Sequence, residues 1–205
     1  SEIEYQRSCK GLTSGFMNWM YSDMWPTGTW AVVDYYTEPK QAYYQMKRSY
    51  APVIMSFIEN KDKEVLLVGV NDYLQSIEAE FEYGLKTLQG EIVWKKSGVC
   101  TIHPDKAFAE KVVGSVATKD AYLYVRYTVN GETQTSVFSL DFWSKCDFES
   151  DYTVTTTANG NQAFVRVKAN KFAKSVFISL PDNYKYTYSD NYLDVEAGEE
   201  KTIVI

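Results

Sequence analysis

The sequence predicts a mainly β protein in which two β-sandwiches follow a single βα unit. Three features of the chain predict this order. Apolar, aromatic and helix-favouring segments follow one another before Pro52, the hydrophobic period changes from helical to two after Pro52, and two Asn-Gly dipeptides separate alternating runs downstream. The 205 residues, of which 45% are hydrophobic, are enough for one large or two small domains with a buried core.

The βα unit is predicted from an aromatic-rich stretch near the start of the chain. Residues 15–20 (GFMNWM) form a nearly continuous apolar run, which is typical of a strand buried on both faces. Residues 21–29 interleave turn formers with Met and Trp and predict a loop that stays packed. Pro39 can occupy the first turn of a helix, and residues 40–49 are good helix formers until Pro52 ends the pattern.

The first ten residues predict the end of a helix that precedes this strand, because Ile3, Arg7 and Lys10 stand at helical spacing. Ser1 stands in place of an initiator Met, and no charged-then-apolar signal region follows it. We therefore expect the chain to begin inside a longer protein or after processing.

The segment after Pro52 is predicted to form the first sandwich. Residues 53–58 and 65–70 are apolar runs that flank a charged turn, and residues 76–83 alternate apolar and polar side chains so that one face is buried. Residues 91–95 continue the strand pattern.

A hairpin completes the first sandwich. Residues 121–129 lead into Asn130-Gly131, and the chain returns through residues 133–140. An Asn-Gly pair between alternating runs is the strongest short hairpin signal, because both turn residues must accept positive φ. Seven or so short strands in about 90 residues fit an immunoglobulin-like sandwich.

The pattern lapses at residues 144–147, which we interpret as the linker to a second, smaller immunoglobulin-like sandwich. Its first two strands are predicted to pair across Asn159-Gly160 with the same turn chemistry. The predicted strands are residues 153–157, 162–168, 175–180, 186–188 and 202–205. A unit of about 60 residues buries too little apolar surface to be robust alone, so we expect it to pack on its neighbour. The predicted domains are residues 1–51, 52–143 and 144–205.

Composition argues against two classes of partner. The net charge of −6 disfavours a phosphate-binding surface, since binding to phosphates depends on clustered Lys and Arg. No run approaches the roughly 18 apolar residues that a membrane-spanning helix needs. We therefore expect neither nucleic acid nor a membrane as a partner.

Metal and cofactor chemistry has little support in the sequence, and no cofactor is expected. The cysteines are scattered without a C-x-x-C pair: Cys9, Cys100 and Cys146. Their odd number is compatible with a bacterial cytoplasm or periplasm and does not choose between them. His103, the only histidine, is interpreted as a surface or capping residue, and Trp94 and Trp143 as packing residues. Asp190-Asn191 is interpreted as a turn that bonds its own backbone rather than as a calcium site.

Two groups of residues resemble motifs of one enzyme family. Residues 19–26 (WMYSDMWP) are followed by Trp30, by residues 34–36 (DYY) and by residues 39–48 (PKQAYYQMKR). This series resembles the end of the catalytic barrel in β-mannosidases of glycoside hydrolase family 2, where the pattern is W-x-x-N-D-x-W-P, a second Trp, D-Y-Y, P-K-x-A-Y-Y and K-R. Ser22 stands where the family usually has Asn.

A second match lies near the other end of the chain. Residues 188–199 (YSDNYLDVEAGE) resemble the F-S-D-N-Y-F-D-L-x-P-G-E signature in the last domain of the same enzymes. Together the two matches bracket nearly the whole chain. The resemblance implies that residues 1–51 are the last strand and helix of a TIM barrel, and that residues 144–205 are the terminal immunoglobulin-like domain.

The resemblance implies an activity for a larger parent protein. In the family the two catalytic glutamates lie upstream of the strand that carries Trp19, and they are absent here; a whole barrel needs about 250 residues. The implied parent is a retaining, exo-acting enzyme that hydrolyses terminal β-mannosides in glycosides or oligosaccharides, with this fragment inactive alone. The alternatives are a carbohydrate-binding or structural β-sandwich module, or the same region of a sibling hydrolase such as an exo-β-glucosaminidase or a β-galactosidase.

The resemblance also implies the residues of a sugar site. Trp19 would form the floor of the subsite for the cleaved sugar, with a cis peptide bond between Trp19 and Met20. Trp25 and Asp23 would bind substrate beside it. Asp23 and Asp34 are candidate nucleophiles by proximity only, and we interpret both as acceptors that lock the loop by bonding backbone N–H groups.

An aromatic segment separated from the rest of its barrel would expose a large apolar surface. The residues concerned are Phe16, Trp19, Trp25, Trp30, Tyr35, Tyr36, Tyr43 and Tyr44. Monomeric proteins rarely show contiguous apolar patches of this size. We therefore expect homo-oligomers through residues 15–44, or folding of this segment onto the first sandwich.

Overall fold

The computed structural model describes residues 1–114, 120–139, 143–149, 151–181 and 186–205. Strands dominate it, as predicted. The helices are α1 (Glu2–Ser8) and α2 (Gln41–Ser49), with one 3-10 turn at Trp143–Lys145. The strands are β1 (Val53–Glu59), β2 (Val65–Asn71), β3 (Ile77–Thr87), β4 (Ile92–Ile102), β5 (Phe108–Lys111), β6 (Ala121–Val129), β7 (Glu132–Phe138), β8 (Tyr152–Asn159), β9 (Gln162–Ala169), β10 (Ala173–Val176), β11 (Leu193–Val195) and β12 (Glu200–Val204).

The start of the chain agrees with the prediction in its helices and differs in its strand. Helix α1 lies where the end of a helix was predicted, and α2 begins one residue after the predicted start. The prediction of a strand at residues 15–20 is wrong for this chain, since they form no ladder. A buried strand needs neighbours for its N–H and C=O groups, and none of the described strands pairs with residues 15–20.

The first sandwich is built from two sheets with the strand orders β1-β2-β5 and β4-β3-β6-β7. Strand β3 alternates as predicted, with Ile77 and Ala79 buried in the core and Glu78 and Glu80 exposed. The ring of Phe57 in β1 lies 6.3 Å from the ring of Tyr83 in β3, which joins the two sheets. The number of strands agrees with the predicted sandwich, but β5 corresponds to none of the strands predicted by residue range, and it pairs with β2.

The hairpin between β6 and β7 has the predicted loop. Val129 pairs with Glu132, so Asn130 and Gly131 are the two loop residues. Their φ angles are 52° and 82°, as a type I′ turn requires.

The second hairpin differs from the prediction by one residue. Asn159 pairs with Gln162, so the loop is Gly160-Asn161 rather than Asn159-Gly160. Gly160 has a φ of 59°, whereas Asn161 is not in the left-handed region, which is the pattern of a type II′ turn with Gly first. The turn chemistry is therefore not that of the first hairpin.

The second sandwich consists of the sheet β12-β9-β8 and the pair β10-β11. Its core contains Val165, Val167, Val195 and Ile203. The strand predicted at residues 175–180 is wrong in its bounds, because β10 ends at Val176 after a register irregularity that includes Ser175 at positive φ. The strand predicted at residues 186–188 does not form.

The second sandwich packs on the outer face of the first, as expected for so small a unit. Tyr122 and Tyr124 alternate with the core residues of β6 and are nevertheless fully buried. The ring of Tyr122 lies 4.4 Å from that of Phe172, and Trp143 stacks on Phe172 at 5.5 Å. This contact confirms Trp143 as a packing residue and explains why five consecutive residues of β6 are buried.

Candidate functional site

Among the described residues, the most exposed aromatic side chains lie between α1 and α2. We call residues 16–36 the aromatic loop. Trp19, Trp25 and Trp30 are 80%, 62% and 72% exposed, and the peptide bond between Trp19 and Met20 is cis, as predicted. These rings do not fold onto the first sandwich.

Backbone bridges hold the base of the aromatic loop. Val33 N donates to Tyr21 O at 2.9 Å, and Asp23 N donates to Val33 O at 3.1 Å. Lys40 N donates to Val32 O at 2.9 Å, which ties the loop to the start of α2. Ala31, Val32 and Val33 are buried, so the apolar part of the loop faces inward while its large rings face outward.

Asp23 is buried beneath the exposed rings. Its Oδ2 accepts a hydrogen bond from Lys40 Nζ at 2.6 Å, and its Oδ1 accepts one from the hydroxyl of Thr29. Thr29 Oγ1 in turn accepts from Ala31 N at 3.1 Å. The hydrogen bonds from Lys40 and then Thr29 lower the pKa of Asp23 below its ordinary value, so the carboxylate is charged at neutral pH. The donors are side chains rather than the expected backbone N–H groups.

Asp34 locks the next turn of the chain. Its Oδ1 accepts from Glu38 N at 2.8 Å, and its backbone carbonyl accepts from Thr37 N at 3.1 Å. Thr37 has a φ of 72°, so this turn includes a residue in the left-handed region. The backbone-locking role predicted for Asp34 is confirmed.

Helix α2 joins the aromatic loop to the second sandwich. Arg48 Nη1 donates to Asp190 Oδ1 at 2.7 Å and to Asn191 O at 3.1 Å, and Arg48 Nη2 donates to Tyr192 O at 3.3 Å. Lys47 Nζ donates to Ser189 O at 2.6 Å. The two groups of residues that carry the family resemblance therefore contact each other, which neither motif alone indicated.

The loop at Asp190-Asn191 is a self-bonded turn, as predicted. Asp190 Oδ1 accepts from Asn191 N at 2.8 Å, and Asn191 Oδ1 accepts from the backbone N–H groups of Ile178 and Tyr192, both at 2.9 Å. Asn191 Nδ2 donates to Ile178 O at 2.8 Å. Every oxygen and nitrogen of the Asn191 side chain is thus committed to the fold.

Tyr44 packs from α2 onto this turn. Its ring lies 6.0 Å from that of Tyr192. Burial, reinforced by Tyr188 and neighbouring groups, raises the pKa of Tyr44 to about 12. Tyr44 is the one ring of the predicted patch that is fully buried among the described residues, because the second sandwich covers it.

The other residues that were considered for function take part in local hydrogen bonding or packing. His103 Nδ1 lies 3.0 Å from Ser76 Oγ at the surface, and Trp94 packs edge-to-face on Tyr83 at 5.9 Å. Burial raises the pKa of the free Cys100 thiol to about 11. Within the described ranges, no three His, Cys, Asp or Glu side chains group closely enough to hold a metal ion, and no helix has the length and apolar character to cross a membrane.

Within residues 16–36 the structure therefore offers exposed aromatic rings rather than an acid–base pair. Asp23 and Asp34, the two acids nearest to the exposed tryptophans in sequence, are both occupied in holding the loop. Flat exposed rings on a rigid loop are suited to stacking against the apolar face of a ligand.

Comparisons with known proteins agree with the motifs. Residues 149–205 match the Ig_mannosidase family model, an Ig-fold domain. A β-mannosidase B of Thermothelomyces thermophilus is 49% identical over 50 residues, which are 24% of this chain and 6% of that protein. A β-mannosidase B of Aspergillus niger is 49% identical over 48 residues, which are 23% of this chain and 5% of that protein. The matched stretch is thus a small part of each relative.

Solved structures share the fold along almost the whole chain. A β-D-mannosidase of Dictyoglomus thermophilum matches with a TM-score of 0.84 and 22% identity, over 98% of this chain and 25% of that one. An exo-chitosanase of Amycolatopsis orientalis matches with a TM-score of 0.70 and 15% identity, over 99% of this chain and 29% of that one. The chain is therefore similar to the C-terminal region of glycoside hydrolase family 2 β-mannosidases, as the sequence motifs predict.

Proposed function

We propose that this chain is the C-terminal portion of a retaining, exo-acting glycoside hydrolase that cleaves terminal β-mannosides. Residues 1–51 are the end of its catalytic barrel, and residues 52–143 and 144–205 are accessory sandwiches. The observation that carries the proposal is the set of exposed tryptophan rings on a loop fixed from below by the buried Asp23 carboxylate.

The chain supplies one wall of the sugar pocket. Trp19 forms the floor of the subsite for the cleaved sugar, and Trp25 lines it, each through the flat face of its ring. Asp23 contributes by holding the loop that carries Trp25, since its carboxylate is inaccessible and already bonded. Retaining cleavage requires two carboxyl groups about 5 Å apart, and these come from the upstream part of the barrel. The 205-residue chain alone is therefore inactive.

The aromatic loop has a different neighbour in the parent enzyme than in the isolated chain. The upstream barrel strands cover part of it in the parent, whereas copies of the isolated chain associate through residues 15–44. Sedimentation of the chain tests this association: dimers or larger species are expected, and Trp25→Ser should shift them toward monomer. A monomer at all concentrations contradicts it.

The function is tested on the parent enzyme with a panel of aryl glycosides. We expect hydrolysis of the β-mannoside well above that of the β-galactoside and the β-glucosaminide, and a loss of kcat/KM of at least about a hundredfold in Trp19→Ala. Tyr73→Ala, which removes an exposed ring from the first sandwich, is the matched control and should retain activity. If the parent enzyme hydrolyses none of the three substrates, the proposal is wrong.

An exo-β-glucosaminidase is the second candidate, favoured by the fold likeness to the exo-chitosanase. The mannosidase is preferred for two reasons. The TM-score is higher for the β-D-mannosidase, and the relative that is 49% identical over 50 residues is a β-mannosidase. A preference of the parent for the β-glucosaminide would select this second candidate.

A further inference from the structure

A groove of about 730 Å³ lies between α2, with the turn before it, and the second sandwich. Residues 34–44 form one wall, and residues 177–180 and 186–192 form the other. We call it the side groove. Its volume is within the range of about 300–1,000 Å³ that small-molecule sites occupy. The exposed rings of Trp19 and Trp25 do not line it, so it is separate from the proposed pocket wall.

Each wall of the side groove presents an aromatic ring. Phe177 is 56% exposed and stacks on Tyr192 with ring centroids 4.6 Å apart, so one ring face is supported from behind. On the opposite wall Tyr36 is 63% exposed and is held edge-to-face by Tyr35 at 5.3 Å. Supported rings with a free face are suited to the C–H face of a sugar ring.

The side groove contains an exposed carboxylate that can accept hydrogen bonds. Glu38 is exposed, and within the described residues its carboxylate has no hydrogen-bond donor. Tyr188 lies opposite: burial raises the pKa of its hydroxyl, and the negative charge of Glu38 adds to the increase. The two walls are thus close enough for one charge to act across the groove.

Among the residues that the structure describes, the cations beside the side groove are already paired. Lys40 bonds Asp23 and Arg48 bonds Asp190, so neither offers a free charge to an anion. With Asp34 and Glu38 on the wall, a phosphate or a carboxylate is disfavoured. A neutral ligand with many hydroxyl donors fits both the rings and the carboxylate.

The floor of the side groove is buried and hydrogen-bonded. Tyr44 and Asn191 are 3% and 2% exposed, and both polar atoms of the Asn191 side chain are hydrogen-bonded. A preformed floor lowers the ordering cost of binding.

We propose that the side groove is an accessory saccharide site, in which Tyr36 and Phe177 stack on sugar rings and Glu38 accepts hydrogen bonds from sugar hydroxyls. The choice of mannose as the sugar rests on the proposed function. The site holds units of an oligosaccharide away from the bond that is cleaved, so it favours oligosaccharides over simple glycosides.

Association through residues 15–44 would cover the wall formed by residues 34–44, so the site is tested in the Trp25→Ser background, which is expected to be monomeric. This chain is titrated with β-1,4-linked mannotriose and followed by calorimetry and NMR. We expect binding that Phe177→Ala and Tyr36→Ala each weaken about three- to tenfold, the range for loss of one stacking face. Glu38→Gln should weaken it less. Tyr73→Ala and Glu78→Gln, which change an exposed ring and an exposed acid on the first sandwich, are the controls and should bind normally. Thermal unfolding verifies that each variant is folded.

Two further arms separate the alternatives. In a Trp19→Ala background binding should persist, because the side groove does not contain Trp19. Inorganic phosphate should not compete with mannotriose. The proposed site is wrong if mannotriose does not bind, or if neither Tyr36→Ala nor Phe177→Ala weakens its binding. It is also wrong if phosphate displaces mannotriose.

The test separates failure of the site from failure of the proposed function. If the parent enzyme cleaves β-mannosides and the chain does not bind mannotriose, only the side groove is wrong. If the chain binds through Tyr36 and Phe177 but the parent does not cleave β-mannosides, the groove stands as a saccharide site and the enzyme assignment fails.

Discussion

At the scale of single residues, the Asp23–Lys40 pair determines whether the aromatic loop keeps its shape. In Lys40→Met the Asp23 carboxylate would stay buried with only the Thr29 hydroxyl as a side-chain donor. We expect limited proteolysis within residues 16–36 to become several times faster, measured by mass spectrometry. Lys61→Met, at an exposed turn residue, is the matched control.

The pH dependence of the same pair has a definite sign. The folded-state pKa of Asp23 lies below its ordinary value of 3.8, so the pair stabilises the loop above that pH and this stabilisation is lost as the pH falls through the lower, folded-state pKa. Wild-type loop protection should persist at pH 5, begin to fall below the ordinary pKa of 3.8, and be lost only below the lower, folded-state pKa. In Lys40→Met the loss should begin at higher pH. Identical pH profiles would contradict the role of Lys40.

At the scale of elements, substitution of one glycine in each hairpin loop tests which residues form the turn. Gly131 and Gly160 have φ angles of 82° and 59°, and an added Cβ meets no atom within 4 Å at either position, so the effect of substitution comes from the backbone. Gly131→Ala and Gly160→Ala should each lower the free energy of unfolding by about 1 kcal/mol in urea titrations.

Asn159→Ala distinguishes the observed second hairpin from the predicted one. Asn159 is the last strand residue, paired with Gln162, and its φ is not positive. The substitution should therefore change the free energy of unfolding by less than about 0.5 kcal/mol. If Asn159→Ala lowered the free energy of unfolding more than Gly160→Ala does, the result would support the predicted Asn159-Gly160 turn instead.

Local patterns predicted those elements whose partners lie close in sequence. The alternation of β3 and the Asn130-Gly131 turn were predicted correctly because each depends on a few neighbouring residues. The strand at residues 15–20 was not formed, since its pairing partners are not among the described strands. The loop of the second hairpin was misplaced because Asn-Gly fits type I′ and the following Gly-Asn fits type II′.

In the candidate site, too, the sequence predicted local features and missed contacts between residues far apart in the chain. Trp19, Trp25 and Asp23 remain predictions from the resemblance, whereas the cis bond after Trp19, predicted in the same way, is present. The partner of Asp23 was missed, since nothing in the pattern connects Lys40 with a carboxylate 17 residues away. The contact of Arg48 with Asp190, 142 residues apart, is equally invisible to spacing rules.

At the scale of the whole molecule, a buried ion pair joins the two sandwiches. Lys86 Nζ lies 2.5 Å from Glu196 Oε2 and 4.1 Å from the centroid of the Tyr124 ring, and both charged side chains are nearly inaccessible. Lys86→Met would leave Glu196 with Arg126 at 3.5 Å and the Tyr122 hydroxyl at 3.3 Å. Loss of one partner of a buried pair should lower the free energy of unfolding by about 3 kcal/mol, measured in urea.

Two variants make this prediction specific. Lys95→Met breaks the more exposed pair with Glu82 and should cost less than about 1 kcal/mol. The double variant Lys86→Met, Glu196→Leu should recover much of the loss, because no charge is left buried and unpaired. Equal effects of Lys86→Met and Lys95→Met would show that the pair between the sandwiches is not buried in solution.

The second contact between distant parts of the molecule is Arg48, which connects α2 to the turn at residues 189–192. Arg48→Ala removes three hydrogen bonds to that turn, whereas Arg48→Lys keeps the charge and loses the planar fork. We expect amide hydrogen exchange at Ile178 and Tyr192, whose N–H groups both bond Asn191 Oδ1, to accelerate about tenfold in Arg48→Ala and less in Arg48→Lys. Arg166→Ala, at an exposed position of β9, is the control. Unchanged exchange in Arg48→Ala would mean that Lys47 and the packing of Tyr44 on Tyr192 hold the turn without Arg48.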